Sequence, residues 1–186
     1  MSGGQATITG DSTVGALNAD VIINAGKTLT ITKSVKDGIA ASGDGLLLLD
    51  GASAAFGSAA IKNLKLNNAS VDWSGVLTVD SLQSGDAPST LRGGTLTLAG
   101  NAAFNGKMDV DALNVNEGTF TFNGTTGDVE NMTLADGAKL VIATGELNAY
   151  GFTGTNNTVT IAEDAAFGLD LGSSQALPTG LTITGA

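Results

Sequence analysis

Apolar residues recur two apart along most of the chain, and pairs of such doublets are joined across a short, turn-forming gap. Val21-x-Ile23-x-x-Gly26-x-x-Leu29-x-Ile31 and Met132-x-Leu134-x-x-Gly137-x-x-Leu140-x-Ile142 are full copies of one spacing, and Val159-x-Ile161-x-x-Asp164-x-x-Phe167-x-Leu169 repeats it. Leu46-x-Leu48-x-x-Gly51-x-x-Ala54-x-Phe56 fits with a smaller residue at one position. Leu64-x-Leu66-x-x-Ala69-x-Val71-x-Trp73 and Leu113-x-Val115-x-x-Gly118-x-Phe120-x-Phe122 are one residue tighter after the bend. Leu96-x-Leu98-x-x-Asn101-x-x-Phe104 is partial, because Gly106 stands at its last position.

Alternation with a period of two means a strand with one buried face, and the Asn, Gly, Asp or Ala between the doublets supplies a bend. Each copy therefore predicts two short strands around a corner. The copies begin at residues 21, 46, 64, 96, 113, 132 and 159, with a mean step of 23. One such unit cannot bury its apolar side alone, whereas units stacked about 4.8 Å apart share a continuous core. The expectation is an all-β, single-domain parallel β-solenoid of seven or eight irregular rungs over residues 6–186, preceded by a flexible segment at 1–5. The rival is an antiparallel β-sandwich, in which Asn105-Gly106 and Asn123-Gly124 would be hairpin turns. Residues 52–66 are the best helix candidate and are read as strand and corner.

The composition agrees with a non-enzymatic repeat protein. Hydrophobic residues make up 42% of the 186, but aromatic residues only 4% and charged residues 14%, with 27 glycines; an average soluble domain carries about 25% charged residues. There is no cysteine or histidine, which removes thiolate nucleophiles, disulfides and the commonest general base and metal ligand. The net charge of −10 and a single arginine, Arg92, argue against nucleic acid as a partner. No run approaches the roughly 18 apolar residues of a membrane span, and Met1–Gln5 has neither the charged nor the apolar region of a signal peptide.

Val21-Ile22-Ile23-Asn24-Ala25-Gly26-Lys27-Thr28-Leu29-Thr30-Ile31 and Leu134-Ala135-Asp136-Gly137-Ala138-Lys139-Leu140 resemble the passenger domains of bacterial autotransporters and filamentous-haemagglutinin-like adhesins. The resemblance, which extends over most of residues 6–172, implies a right-handed parallel β-helix displayed at the bacterial cell surface. Its partners would be further copies of itself, or glycans or proteins of a host or cell surface. The chain lacks the translocating β-barrel of an autotransporter and is short for a passenger.

Carboxylates are the only credible chemistry. Asp109-Val110-Asp111 puts two on one strand face, where they could bind calcium or serve a carbohydrate-active enzyme that needs paired acids; a solvated strand face is the favoured reading. Asp37-Gly38, Asp50-Gly51 and Asp136-Gly137 read as turns, with no EF-hand spacing. No catalytic residue or cofactor is therefore assigned, calcium being the one ligand kept open. Thr-x-Thr pairs at 28–32, 95–97, 119–121, 158–160 and 182–184 resemble the ladders of ice-binding faces, but Thr28 follows a corner of the repeat and Thr158 precedes one, so they read as ordinary outward strand residues. Trp73 falls on an inward position, which leaves Tyr150 without an aromatic partner for stacking on a sugar.

Ala6-Thr7-Ile8-Thr9 and Leu181-Thr182-Ile183-Thr184 read as terminal strands without the charged or proline-rich protection common at open edges. They are the candidate self-association strands, of a piece of a longer solenoid or of a subunit that associates end to end. The expected function is that of an extracellular structural or adhesive protein without catalysis, with a self-assembling filament or layer subunit as the alternative.

Overall fold

The computed structural model describes residues 5–172 and 176–185, the side chain of Phe56 apart; residues 1–4 of the expected N-terminal segment lie outside that range. Among the described residues twenty strands follow one another. The first nine are β1 (Ala6–Ile8), β2 (Ser12–Leu17), β3 (Val21–Ile23), β4 (Thr28–Val35), β5 (Ala40–Ser42), β6 (Leu46–Asp50), β7 (Ser53–Phe56), β8 (Ala59–Asn67) and β9 (Ser70–Ser84). Then come β10 (Ser89–Leu98), β11 (Ala102–Phe104), β12 (Gly106–Val115), β13 (Thr119–Phe122), β14 (Thr126–Leu134), β15 (Lys139–Ile142) and β16 (Gly145–Ala149). The last four are β17 (Phe152–Gly154), β18 (Thr158–Ile161), β19 (Ala165–Leu169) and β20 (Thr182–Gly185).

Every pairing among the described residues is parallel and joins strands one coil apart, so the chain is a parallel β-solenoid of about nine turns. The sandwich is excluded by that direction. Asn105-Gly106 and Asn123-Gly124 are not hairpins: Gly106 opens β12, which pairs in parallel with β10 and β14. Residues 52–66 form β7, a corner and part of β8, as expected.

Three faces wind around the core. On the first face, Leu29, Leu47, Leu64, Leu82, Ala102, Phe120, Leu140 and Val159 stack coil on coil. On the second, the stack runs Leu17, Val35, Ala54, Val71, Leu91, Met108, Gly127, Leu147 and Phe167. On the third it runs Ala6, Val21, Ala41, Ile61, Val79, Leu98, Val115, Leu134 and Gly154. From Val21 to Val159 nearly all of these side chains are buried. Each fully buried Leu or Phe stabilises the fold by roughly 1.5–3 kcal/mol, and no coil can realise that gain without its neighbours.

The register revises the repeat. Equivalent positions on the first face recur every 17–20 residues from Leu29 to Val159, rather than every 23, and there are about nine rungs rather than seven or eight. The motif mixed two different corners. Its copies at 21, 96, 113 and 132 cross from the third face to the first, while those at 46, 64 and 159 cross from the first to the second. In the middle coils the remaining corner, from second face to third, lies inside β9, β10, β12 and β14, where no loop interrupts the strand, while in the earlier coils and after β16 it separates two strands. The copy at 46 was also one residue out of phase: within the run Leu46–Leu49, Leu47 and Leu49 point inward and are buried, whereas Leu46 and Leu48 are only partly covered.

Candidate functional surface

Phe104, Phe120 and Phe122 fill the middle of the solenoid and are fully buried, as are the leucines of the neighbouring coils. The depressions that exist are open and shallow, about 230–370 Å³, and sit against outward residues of the faces. What the molecule offers to a partner is its outer surface, which is built by register: each outward side chain stands over its equivalent one coil away.

Corner residues turn out to be clasps between coils. Asp11 Oδ1 accepts the Thr28 backbone N–H at 2.8 Å, Asp20 Oδ1 that of Ala40 at 2.9 Å, and Asp37 Oδ1 that of Gly57. Ser58 Oγ, Asn67 Oδ1 and Asn101 Oδ1 accept from Val76, Ala87 and Thr119 in the same way. Each bond runs forward by one coil and satisfies an N–H that the ladder leaves free at the bend. The Asp-Gly pairs are turns as expected: Gly38, Gly51 and Gly137 have φ of 71°, 64° and 75°. Asn68 and Asn156 adopt the same left-handed conformation, which Asn tolerates better than most residues.

Asp109 and Asp111 both point outward, as the strand period required. Asp109 stands in register between Arg92 and Asp128, and Arg92 Nε is engaged 2.8 Å from Asp72 Oδ1 on its other side. Among the described residues no group of three or more carboxylates is gathered closely enough to hold a metal ion. Asp109 thus belongs to an outward column, Asp72–Arg92–Asp109–Asp128–Asn148, that runs along the second face, whereas Asp111 lies beyond Val110 at the bend toward the third face. Thirteen of the eighteen acidic residues but only three of the eight basic ones follow Asn67, so the negative charge is concentrated on the later coils. In the early coils Lys62 pairs with Asp44, and that contact holds the Asp44 carboxyl below and the Lys62 amine above their ordinary values.

The threonine pairs are placed differently from expectation. Thr158 stands over Lys139, which stands over Thr119, on the first face where Thr28 also lies; they share one face after all. The ladder is nonetheless broken, because Leu46 covers Thr28 and Lys139 separates Thr119 from Thr158. An unbroken polar column does exist on the third face, Thr78–Thr97–Asn114–Thr133–Thr153, with Thr133 Oγ1 and Thr153 Oγ1 3.0 Å apart.

Of the terminal segments, Ala6–Ile8 forms β1 and Thr182–Gly185 forms β20, which among the described residues pair with β3 and β18 alone. Thr9 and Leu181 flank these strands, and Ile183 is 48% exposed.

Trp73 is buried, and its Nε1–H donates to the Thr95 carbonyl at 3.1 Å. Tyr150 is 46% exposed. Its hydroxyl lies 3.4 Å from Asp128 Oδ1, which also accepts Asn148 Nδ2–H at 3.3 Å. The Asp128 carboxylate, followed by burial and by Glu130 and Asp170, pushes the phenol above its ordinary pKa. Tyr150 looks isolated in sequence because Asp128 and Asp170, which face it, come from the neighbouring coils. No protein-family model, curated protein or solved structure matches the chain.

Proposed function

We propose that the chain is a non-catalytic structural or adhesive solenoid of the bacterial cell exterior. The observation that carries this reading is the division of the molecule into a core closed by packed aliphatic and aromatic side chains and three long outer faces on which polar residues stand in register. Among the described residues such a rod presents extended surface with shallow depressions, which suits spacing and contact better than turnover. The exterior location rests on the resemblance to autotransporter and haemagglutinin passengers. Antibody raised against the chain should label intact cells of the source organism and lose its target after brief external proteolysis. Labelling only after permeabilisation would overturn the location.

Self-assembly into a filament or layer is the second reading, favoured by β20, whose outer edge is unpaired among the described residues and whose Ile183 is exposed. Unpaired strand edges template further strands. Electron microscopy and size-exclusion chromatography over a concentration series of the native protein decide it: fibres that grow with concentration support assembly, and a monomer at all concentrations removes it.

A further inference from the structure

Tyr150 is placed where a side chain that merely fills space would not be. It follows β16 at the bend from the second face to the third, two residues beyond Asn148, and Asn148 stands in register over Asp128 of the previous coil. The hydroxyl reaches back across that coil to Asp128 Oδ1 at 3.4 Å. A ring anchored at its Cα and held at its hydroxyl lies along the coil stack instead of projecting from it. The ring so spans from its own coil to the previous one and stays 46% exposed beside the next.

The next coil comes close to Asn148 beside the ring. Gly168 stands in register with Asn148 and contributes no side chain, and the Asn148 Oδ1 atom occupies the place a Cβ at Gly168 would take. Asn148 uses its Nδ2 on Asp128, so Oδ1 is left as an acceptor over the glycine. Asp170 spends Oδ1 on the Gly172 N–H at 2.9 Å and keeps its other oxygen. Asn148, Ala149, Tyr150, Gly168, Leu169 and Asp170 line a depression of about 320 Å³, the size of one or two sugar rings by comparison with small-ligand pockets of roughly 300–1,000 Å³.

We propose that this depression is a binding site for a neutral pyranose sugar, which stacks its C–H face on Tyr150 and directs its hydroxyls to Asn148 Oδ1 and the free oxygen of Asp170. A flat aromatic face with acceptors at its rim matches the two-sided character of a pyranose, apolar across the ring and polar at the edge. The carboxylates of Asp128, Glu130 and Asp170 around the phenol select against sialic and uronic acids, whose charge they repel. The inference rests on the adhesive form of the proposed function and names its ligand class.

A glycan array probed with the native protein, Tyr150→Ala and Tyr150→Phe tests it, with Trp73 emission confirming that each variant is folded. Retention of neutral glycans that falls roughly tenfold or more in Tyr150→Ala and survives in Tyr150→Phe supports the site. Equal retention by Tyr150→Ala, a preference for acidic glycans, or no glycan retained by the native protein overturns it. Those failures leave the structural reading intact, since that reading is judged by the surface-labelling experiment.

Discussion

Gly106 offers the sharpest test of how tightly the coils are stacked. It opens β12 beneath β10, with φ of 141°, and a Cβ added there would overlap the Ser89 carbonyl of the previous coil, well inside the 3.0 Å that real Cβ atoms respect. Gly124 and Gly145 follow it in the next two coils, each facing the carbonyl of the glycine before it. The obstacle is backbone, which cannot swing aside as a side chain would. Gly106→Ala must shift one coil against the next, which weakens bonds such as Thr125 N–H to the Gly106 carbonyl, 3.0 Å. Backbone strain of about 1–3 kcal/mol and one or two compromised hydrogen bonds of about 1 kcal/mol each give an expected loss of roughly 2–5 kcal/mol. Gly26→Ala is the control: φ is 70°, and nothing lies within 4 Å of the added Cβ, so the cost is only the left-handed conformation, about 1–2 kcal/mol. Denaturant unfolding followed by emission of the single tryptophan, buried Trp73, measures both. Equal losses for the two variants, or a larger loss for Gly26→Ala, would refute the argument that inter-coil contact limits this corner.

Asn157, 1% exposed, donates Nδ2–H to the carbonyls of Ala135 and Ala138 at 2.7 and 3.0 Å. Asn157→Asp replaces the donors with a buried carboxylate and should cost roughly 3–5 kcal/mol at neutral pH; burial raises its folded pKa, so the loss should shrink as pH falls toward that value, and a pH-independent loss in unfolding experiments would contradict this. The lowered pKa of Asp44 gives stability that is present above its unfolded value and lost as pH falls through the folded one, and the raised pKa of Lys62 gives stability lost as pH rises through its folded value. Both groups are exposed, so the effect on stability is slight; carboxyl NMR titration should show Asp44 return toward its ordinary pKa in Lys62→Met, and no change would deny the pairing. Tyr150 is the chain's one tyrosine, so its phenolate absorbance titrates alone. Asp128→Asn should lower its pKa by removing the nearest negative charge, and an unchanged titration would place the ring away from Asp128.

The fold was legible because one physical requirement, an alternating strand that must bury one side, repeats along the whole chain. Leu64, Leu66, Val71 and Trp73 were read as inward from spacing alone, and all are buried. The coil length was not legible. Two corners separate inward residues by five or six positions, as from Leu66 to Val71 and from Ile23 to Leu29, and look alike in sequence. The third is irregular: it separates Val110 from Leu113 by three with no turn residue between them, yet carries Asp37-Gly38 in an earlier coil. Four consecutive leucines at 46–49 satisfy either phase, and only pairing with Leu64 and Leu66 selects Leu47 and Leu49. The surface was less legible still, because its neighbours lie a coil apart, 20 residues between Asp37 and Gly57 and 22 between Asp128 and Tyr150. Asp37 looked like half of a turn, yet it also clasps Gly57, and Tyr150 looked solitary, yet it reaches Asp128. Once the coil length is known, both follow from counting one turn along the chain.

Register is therefore the claim on which the rest depends, and spin-label distances measure it directly. On the outward column Thr30–Leu48–Lys65 of the first face, continued by Ala103–Thr121–Val141–Thr160, a label at residue 30 is paired in turn with labels at 65, 103, 121 and 160. The account predicts a linear increase of about 4.8 Å per coil, reaching roughly 34 Å at Thr160. Distances that rise and fall along the series, as strands folded back against one another would give, would contradict a parallel solenoid.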